Sequence, residues 1–216
     1  MKYVIFHFNT GGFNAHENSI IEVAAIIEDT KNKLNFDSIP KYRVLIYNEI
    51  YKGNPLALHL NSNLLKEVAE SIKNKSNSIV TLDMLALNLY SWLSKHIDTY
   101  IDDHNYMLDF NSFGKSYSND GVALLNKKNK LLINVGGKNF GVLQHKFLQI
   151  IPNINDYLSF NHRFLDPSIL FFNKEDESLP NTEECKKRAN INSENNISSL
   201  HECWDVIEML RTKLNY

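Results

Sequence analysis

An α/β fold, a sheet covered by helices with antiparallel hairpins at one edge, is the class this sequence predicts, and three observations carry the prediction. The N-terminal quarter holds three short runs rich in β-branched and aromatic residues, separated by turn signals. Helical periodicity begins near Asn61. A later apolar run, Leu131–Val135, leads into a further helix, so strands first precede and then alternate with helices.

Lys2–Phe8 is an apolar run ended by Thr10, Gly11 and Gly12, which fits a buried strand and a tight turn. Ile20–Glu28 is a second such run, and Lys41–Tyr47 alternates apolar and polar residues like a half-covered strand. Asn61 is placed to cap a helix carrying Leu64, Leu65, Val68 and Ile72 on one face. Thr81 is placed to cap another carrying Leu82, Leu85, Leu89, Trp92 and Leu93. Leu131–Val135 returns to strand, and after Gly136 and Gly137 a helix runs through Phe140, Leu143, Phe147 and Ile151. The last third holds a short apolar segment, Arg163–Phe172, broken by Pro167, then a polar linker at Asn173–Asn181. A short helix opens at Thr182-Glu183-Glu184, where acids face the positive dipole end, and a final helix lies near Ser198–Leu214. The polar stretch Asp98–Lys130 is too long for a plain connection and reads as an insertion, with its own hairpin or as a mobile loop.

At 216 residues, 43% hydrophobic and 22% charged, the chain suits one domain, residues 1–216, able to bury a sizeable core. A formal charge of -2 gives no global electrostatic footprint for nucleic acid, so any such contact must be local. Bidentate phosphate forks are limited to Arg43, Arg163, Arg188 and Arg211. Cys185 and Cys203 are too few for a disulfide framework or a four-ligand zinc site and read as small core residues. The opening MKYVIFHF is too short for a signal-peptide apolar region, and no apolar stretch approaches the ~20 residues of a membrane span. A reducing, cytoplasmic setting without membrane contact is the expectation.

Five segments in order carry a resemblance. FHFNTGGFN followed by SIIEVAAIIED resembles the first motif of the DEDDh, or DnaQ-like, 3′–5′ exonucleases, an aspartate-x-glutamate on the first strand followed by Thr-Thr-Gly-Leu. Here His7 stands at the aspartate's position and Asn9 at the glutamate's. VGGKNFGVLQHKFL resembles the second motif, with Gln144 at its aspartate. NHRFLDPSILF and SLPNTEECKKRANI look like the His-Arg-x-x-Asp-Pro segment and the following helix of oligoribonuclease-like members, and RNase T is of the same kind. ECWDVIEMLR resembles the start of the last helix and aligns Glu202 with the third motif's aspartate and Ile197 with its histidine. His201 is the tempting alternative, but its spacing and its helix face, shared with Asp205 and Glu208, do not fit.

The resemblance implies a ribonuclease-H-like fold, a mixed five-stranded sheet with the first three strands antiparallel, flanked by helices. It also implies a site where carboxylates hold two Mg²⁺ or Mn²⁺ roughly 3.5–4 Å apart around a phosphodiester. Hard cations of this kind need anionic oxygen ligands, and replacing three carboxylates by His7, Asn9 and Gln144 leaves Glu202. Ile197 cannot act as the general base that the family's histidine supplies. No metal or other cofactor is therefore expected, and the expectation is a catalytically inactive homologue, a pseudoenzyme holding a nucleic-acid end, a nucleotide or a protein partner in the old cleft. The family's position for contact with the terminal nucleotide falls on Phe13; Thr10, Gly12, Asn139 and Phe140 complete the expected binding set.

Two other classes stay open: an active exonuclease with an atypical site built from Glu202, His7 and Asp166, and a structural or regulatory interaction protein using the insertion, including as a homodimer. His7 on an apolar strand also reads as an ordinary core histidine, and with Glu202 as a thin transition-metal pair. Asp102-Asp103-His104 reads as a solvated turn, and Lys127-Lys128-Asn129-Lys130 as protection of a strand edge rather than a phosphate contact. His7 beside Glu202 is expected to gain proton affinity, with Asn9 and Gln144 in the same polar network.

Overall fold

The computed structural model describes residues 1–101, 130–138, 143–191 and 198–216. Seven strands form one sheet: β1 (Lys2–Thr10), β2 (Ile20–Asp29), β3 (Lys41–Tyr47), β4 (Ile79–Thr81), β5 (Tyr100–Ile101), β6 (Lys130–Gly136) and β7 (Leu158–Leu165). The helices are α1 (Pro55–Leu60), α2 (Ser62–Lys73), α3 (Leu82–Leu93), α4 (His145–Gln149), α5 (Ile154–Tyr157), α6 (Pro167–Leu170), α7 (Thr182–Arg188) and α8 (Ser199–Leu214). The five long strands follow the order β3-β2-β1-β6-β7, with β1 antiparallel to β2, β2 to β3, and β6 parallel to both β1 and β7. This is the expected mixed sheet with its first three strands antiparallel and Lys2–Phe8 at its centre. Short β4 extends it beside β3, and short β5 pairs with the start of β6.

Strand alternation decides what β1 presents to each side. Val4, Phe6 and Phe8 face a core with Leu85, Leu89 and Leu93 of α3 and Phe147 and Leu148 of α4. Tyr3 and Ile5 face the other way, against Cys203, Val206, Ile207 and Leu210 of α8. Each of these apolar side chains, fully buried, stabilises the fold by about 1.5–3 kcal/mol relative to exposure. The period of two then carries His7 and Asn9 onto the α8 side. In α8 the buried positions Ser199, Cys203, Val206 and Leu210 recur at helical spacing, so one stripe docks on the sheet while its N-terminal turn overhangs the end of β1. Ser198 caps that turn, its side chain accepting from the His201 amide.

Several local expectations change. Asn61 and Thr81 sit at the cap positions of α2 and α3 without side-chain cap bonds. Asn61 instead donates to the carbonyls of Thr10 at 3.2 Å and Ala57 at 2.9 Å, so it ties α1 to the β1 turn. Helix α1 had no helical signal because its six residues span less than two turns, none of them is buried, and only Leu58 packs against a core cluster. Arg163–Phe172, expected to be broken by Pro167, divides there into the end of β7 and α6, with Asp166 capping α6 through Ser168. The Thr182 helix is capped by Asn181. Cys185 and Cys203 are buried free thiols, as core residues should be, and burial pushes the Cys185 thiol up to about 11. The interior of the expected insertion, residues 102–129 with Asp102, Asp103, His104 and Lys127–Asn129, lies outside the described residues, as do Asn139, Phe140 and Ile197.

Candidate functional site

The end of β1 and the first turn of α8 enclose a cleft of about 460 Å³ whose walls include His7, Asn9, Glu22, Lys138, Ser199 and Glu202, with Arg43 and Glu67 on the β3 and α2 side. Antiparallel pairing places Asn9 opposite Glu22 and His7 opposite Ala24, so Glu22 shares the α8 face of the sheet. A register irregularity between Asn9 and Thr10 then ends the regular pairing at the cleft mouth, where bulges commonly re-aim the chain.

Glu22 is fully buried, and a carboxylate in that position requires donors. Its Oε2 accepts from Asn9 Nδ2 at 2.7 Å and from the Ser199 hydroxyl, and its Oε1 accepts from Arg43 Nε. The same Asn9 amide reaches Ser199 Oγ at 2.7 Å. Arg43 turns its other two nitrogens onto Glu67, at 2.7 Å each, so one guanidinium links two carboxylates. Those bonds hold the Glu67 carboxyl below the usual carboxylate range and the Arg43 guanidinium protonated.

His7 behaves opposite to expectation. Dehydration of the ring pushes its proton affinity down, and Lys138 adds to the fall; the raising influences of Glu202 and Glu22 and a hydrogen bond with the Asn9 side chain do not overcome it. Glu202 lines the same cleft, yet no direct hydrogen bond or ion pair joins it to His7 among the described residues. His7 is therefore a neutral ring in the wall and not an imidazolium partner for Glu202. Gln144 also departs from expectation. It is buried with its Nε2 donating to the Lys138 carbonyl at 2.7 Å, and it does not line the cleft with Asn9. Its Oε1 has no partner among the described residues. A Cβ at Gly137 would lie 2.7 Å from that oxygen and 2.9 Å from the Phe6 carbonyl, which is the reason for glycine there.

His201 stays out of this cleft, with Nδ1 at 2.7 Å from Ser198 Oγ and its ring stacked on Phe36 at 4.5 Å. Asp166 belongs to a separate cleft of about 230 Å³, where its Oδ1 accepts from the Ser168 amide at 2.9 Å and hydroxyl at 2.6 Å. The combination Glu202, His7 and Asp166 is thus not assembled.

Thr10, Gly12 and Phe13 line a neighbouring cleft of about 660 Å³, closed on its far side by Asn54, Leu56 and Leu60 of the α1 segment. Phe13 is 84% exposed and also borders a fourth cleft, of about 630 Å³, that includes His16, Lys146 and Gln149. The α1 wall is held by a backbone clasp. Gly11 donates to the Ser19 carbonyl at 2.9 Å and accepts from the Asn54 amide at 2.7 Å, with Gly53 packed against it.

Glu22, Arg43, Glu67, Lys138 and Ser199 were not singled out from sequence as site residues. One signal was readable: Glu22 interrupts the apolar run at the start of β2, and an acid there demands a buried cation or donors. The partners come from β3, α2 and α8, and no spacing rule reveals them.

Two divalent metals do not fit these residues. Among the described residues, no three His, Cys, Asp or Glu side chains form a group that could hold a metal ion. The chemistry gives the reason: Asn9 presents N–H rather than oxygen to Glu22, both Glu22 oxygens are engaged, and Gln144 faces elsewhere.

No family model matches the chain, and no curated protein matches it by sequence. Solved structures do match. Product-bound exonuclease I aligns over 99% of this chain and 44% of its own with 11% identity and a TM-score of 0.55. E. coli exonuclease I in complex with a dT13 oligonucleotide aligns over 99% and 42% with 12% identity and a TM-score of 0.57. Cell-death related nuclease 4 (CRN-4) aligns over 99% and 64% with 9% identity and a TM-score of 0.59. The chain spans less than half the length of the exonuclease I chains. No helix among the described residues is long and apolar enough to cross a membrane. At these identities the likeness speaks for architecture: the chain has the ribonuclease-H-like fold of the exonucleases it matches.

Proposed function

We propose that this chain is a catalytically inactive member of the exonuclease fold that holds a single-stranded nucleic-acid end or a nucleotide beside Phe13 without cleaving it. The observation that carries the reading is the chemistry around Asn9, which stands at one of the carboxylate positions of the resemblance and, with Ser199 and Arg43, donates to Glu22. Hydrolysis by the two-metal route needs both metals and a base for the attacking water. Asn9 and Gln144 are amides, His7 brings no negative charge to a carboxylate's position and its proton affinity is lowered by burial, and Ile197 cannot accept a proton. Support for retained binding comes from the neighbouring clefts. An exposed Phe13 offers an aromatic face between them, and base–aromatic stacking contributes about 1–3 kcal/mol per base. Amides of Asn14, Asn18 and Asn54 suit base edges, and Lys146 supplies a point charge for a phosphate. One of the matched structures, E. coli exonuclease I, carries a dT13 oligonucleotide.

The test pairs two assays on short single-stranded DNA and RNA: release of nucleotides in Mg²⁺ or Mn²⁺, and fluorescence anisotropy without turnover. The expected result is no release, with binding that Phe13→Ala weakens about tenfold, as loss of one stacked base implies. Metal-dependent release that disappears in Glu202→Ala would overturn the inactive reading. Anisotropy indifferent to every oligonucleotide and to Phe13→Ala would favour the alternative of an interaction protein.

A further inference from the structure

We propose that the Arg43 guanidinium is the resident cation of the altered cleft, standing in for divalent metal, so that the cleft assembles without metal ions and takes up none. The inference rests on reading the cleft as a changed nuclease site. Its argument begins with Glu22, whose carboxylate is fully buried and so needs positive charge nearby to remain in place. Three basic side chains line the cleft with it. Lys138 lines the cleft, but no hydrogen bond joins it to Glu22 among the described residues; His7 is held neutral; Arg43 donates directly to Oε1.

Arg43 also does what a bridging ion does: it draws two carboxylates from separate elements, Glu22 of β2 and Glu67 of α2, onto one centre. A guanidinium is suited to this because it stays charged and forks its donors in a plane. The remaining lone pairs of Glu22 fall to Asn9 and Ser199, which donate where a metal shell would require oxygens to accept positive charge. Glu202, the third acid of the cleft, acts electrostatically on His7 and on Lys186 and, among the described residues, has no hydrogen bond or ion pair to Arg43. The amide at Asn9 and the guanidinium at Arg43 are then two halves of one solution. A carboxylate at residue 9 would repel Glu22, and without Arg43 the charge of Glu22 would be left to neutral donors.

Arg43→Met removes the guanidinium while keeping much of its length. It leaves Glu22 and Glu67 uncompensated on one wall, with Glu202 across the cleft, a setting that a small divalent cation can relieve. The experiment is calorimetric titration of Mn²⁺ and Mg²⁺, with thermal denaturation in millimolar cation, on wild type, Arg43→Met and Arg43→Met/Glu22→Gln, all without nucleic acid. Wild type is expected to show no saturable binding and no shift in Tm. Arg43→Met is expected to lose Tm and regain several degrees with Mn²⁺, because a ligand bound to the native state alone raises stability by mass action. The double variant is expected to be more stable than Arg43→Met and indifferent to Mn²⁺.

Saturable Mn²⁺ binding by wild type that Glu22→Gln or Glu202→Gln abolishes overturns the inference. An Arg43→Met protein that folds and ignores Mn²⁺ overturns it too. So does an Arg43→Met protein that does not fold even with Mn²⁺ while the double variant does, since no ion then replaces the guanidinium. If neither variant folds, the wild-type titration decides. Mn²⁺ binding here would sink this inference alone, whereas release of nucleotides in the earlier assay would sink the reading of the cleft as inactive.

Discussion

Restoring an acid at residue 9 should damage the protein rather than repair an enzyme. In the folded chain Asn9 Nδ2 lies 2.7 Å from Glu22 Oε2 and 2.7 Å from Ser199 Oγ. Asn9→Asp keeps the shape and turns the donor into an acceptor. At that 2.7 Å separation two charged oxygens repel by about 6 kcal/mol at an effective dielectric of 20, a ceiling that a shared proton or a small displacement lowers. We expect a loss of about 3 kcal/mol or more at neutral pH, the scale of leaving a buried charge without its partner. The sign with pH follows from the shared proton. The folded pKa of the introduced carboxyl, or of the pair it forms with Glu22, is raised above its unfolded value, so the protonated pair is accommodated below the ordinary carboxylate range. Stability is then lost as pH rises through the folded value. Urea unfolding at about pH 4.5 and pH 7.5 on parent, Asn9→Asp and Asn9→Leu measures this. Asn9→Leu loses the donor without adding charge, so it should cost about 1–3 kcal/mol with little pH dependence. An Asn9→Asp protein as stable as the parent at pH 7.5, or one with equal losses at both pH values, refutes the reasoning.

Arg211→Met should cost about 3–5 kcal/mol, because Arg211 is bidentate to the fully buried Glu28 at 2.7 Å on each arm; a loss of unfolding free energy below about 1 kcal/mol in urea titration would count against it. Gly11→Ala would set a Cβ 2.2 Å from the Lys52 carbonyl oxygen, a backbone atom that cannot rotate away, so a loss of about 1–3 kcal/mol and weaker oligonucleotide binding beside α1 are expected. His7→Gln should flatten the acid limb of the stability curve. A histidine whose folded pKa is depressed contributes stability that is present above the unfolded value, about 6.5, and is lost as pH falls toward the folded one. Identical pH profiles for parent and His7→Gln would contradict it.

The architecture was legible because it is written in local periodicity. The β1 residues Tyr3 to Phe8 alternate between two cores, and α8 repeats its buried positions every three or four residues, so both elements show in one dimension. Helix α1 was not legible, since its place is fixed by the Gly11–Gly53 clasp and by Asn61 reaching back to Thr10, contacts between segments with no period to betray them. The cleft was legible in its positions and not in its electrostatics. The resemblance implied that His7, Asn9 and Glu202 converge, and all three line one cleft. Whether His7 gains or loses a proton depends on the balance of dehydration against Glu202 and Glu22, and that balance is set by packing. Gln144 was misplaced for a related reason, because a motif alignment assigns a position and leaves the side chain's direction open.

The arginines bear on the proposed nucleic-acid binding. Only Arg43, Arg163, Arg188 and Arg211 were available for bidentate phosphate recognition. Arg43 is engaged by Glu22 and Glu67, Arg211 by Glu28, and Arg188 by Asp176, at 2.7 Å on both arms, and by Glu184 at 2.9 Å. Each of these forks already satisfies an internal acid, and both fully buried acids of β2, Glu22 and Glu28, depend on one. Turning the Arg43 or Arg211 fork toward a phosphate would leave a buried carboxylate unpaired, a cost larger than a single phosphate contact returns. Arg163, exposed on β7, is the arginine left for that role, and lysines supply the other cations. Lysine contacts act as point charges and read no sequence, so binding through them should fall steeply with salt. Discrimination among ligands would then have to come from Phe13 and the asparagine-lined cleft beside it.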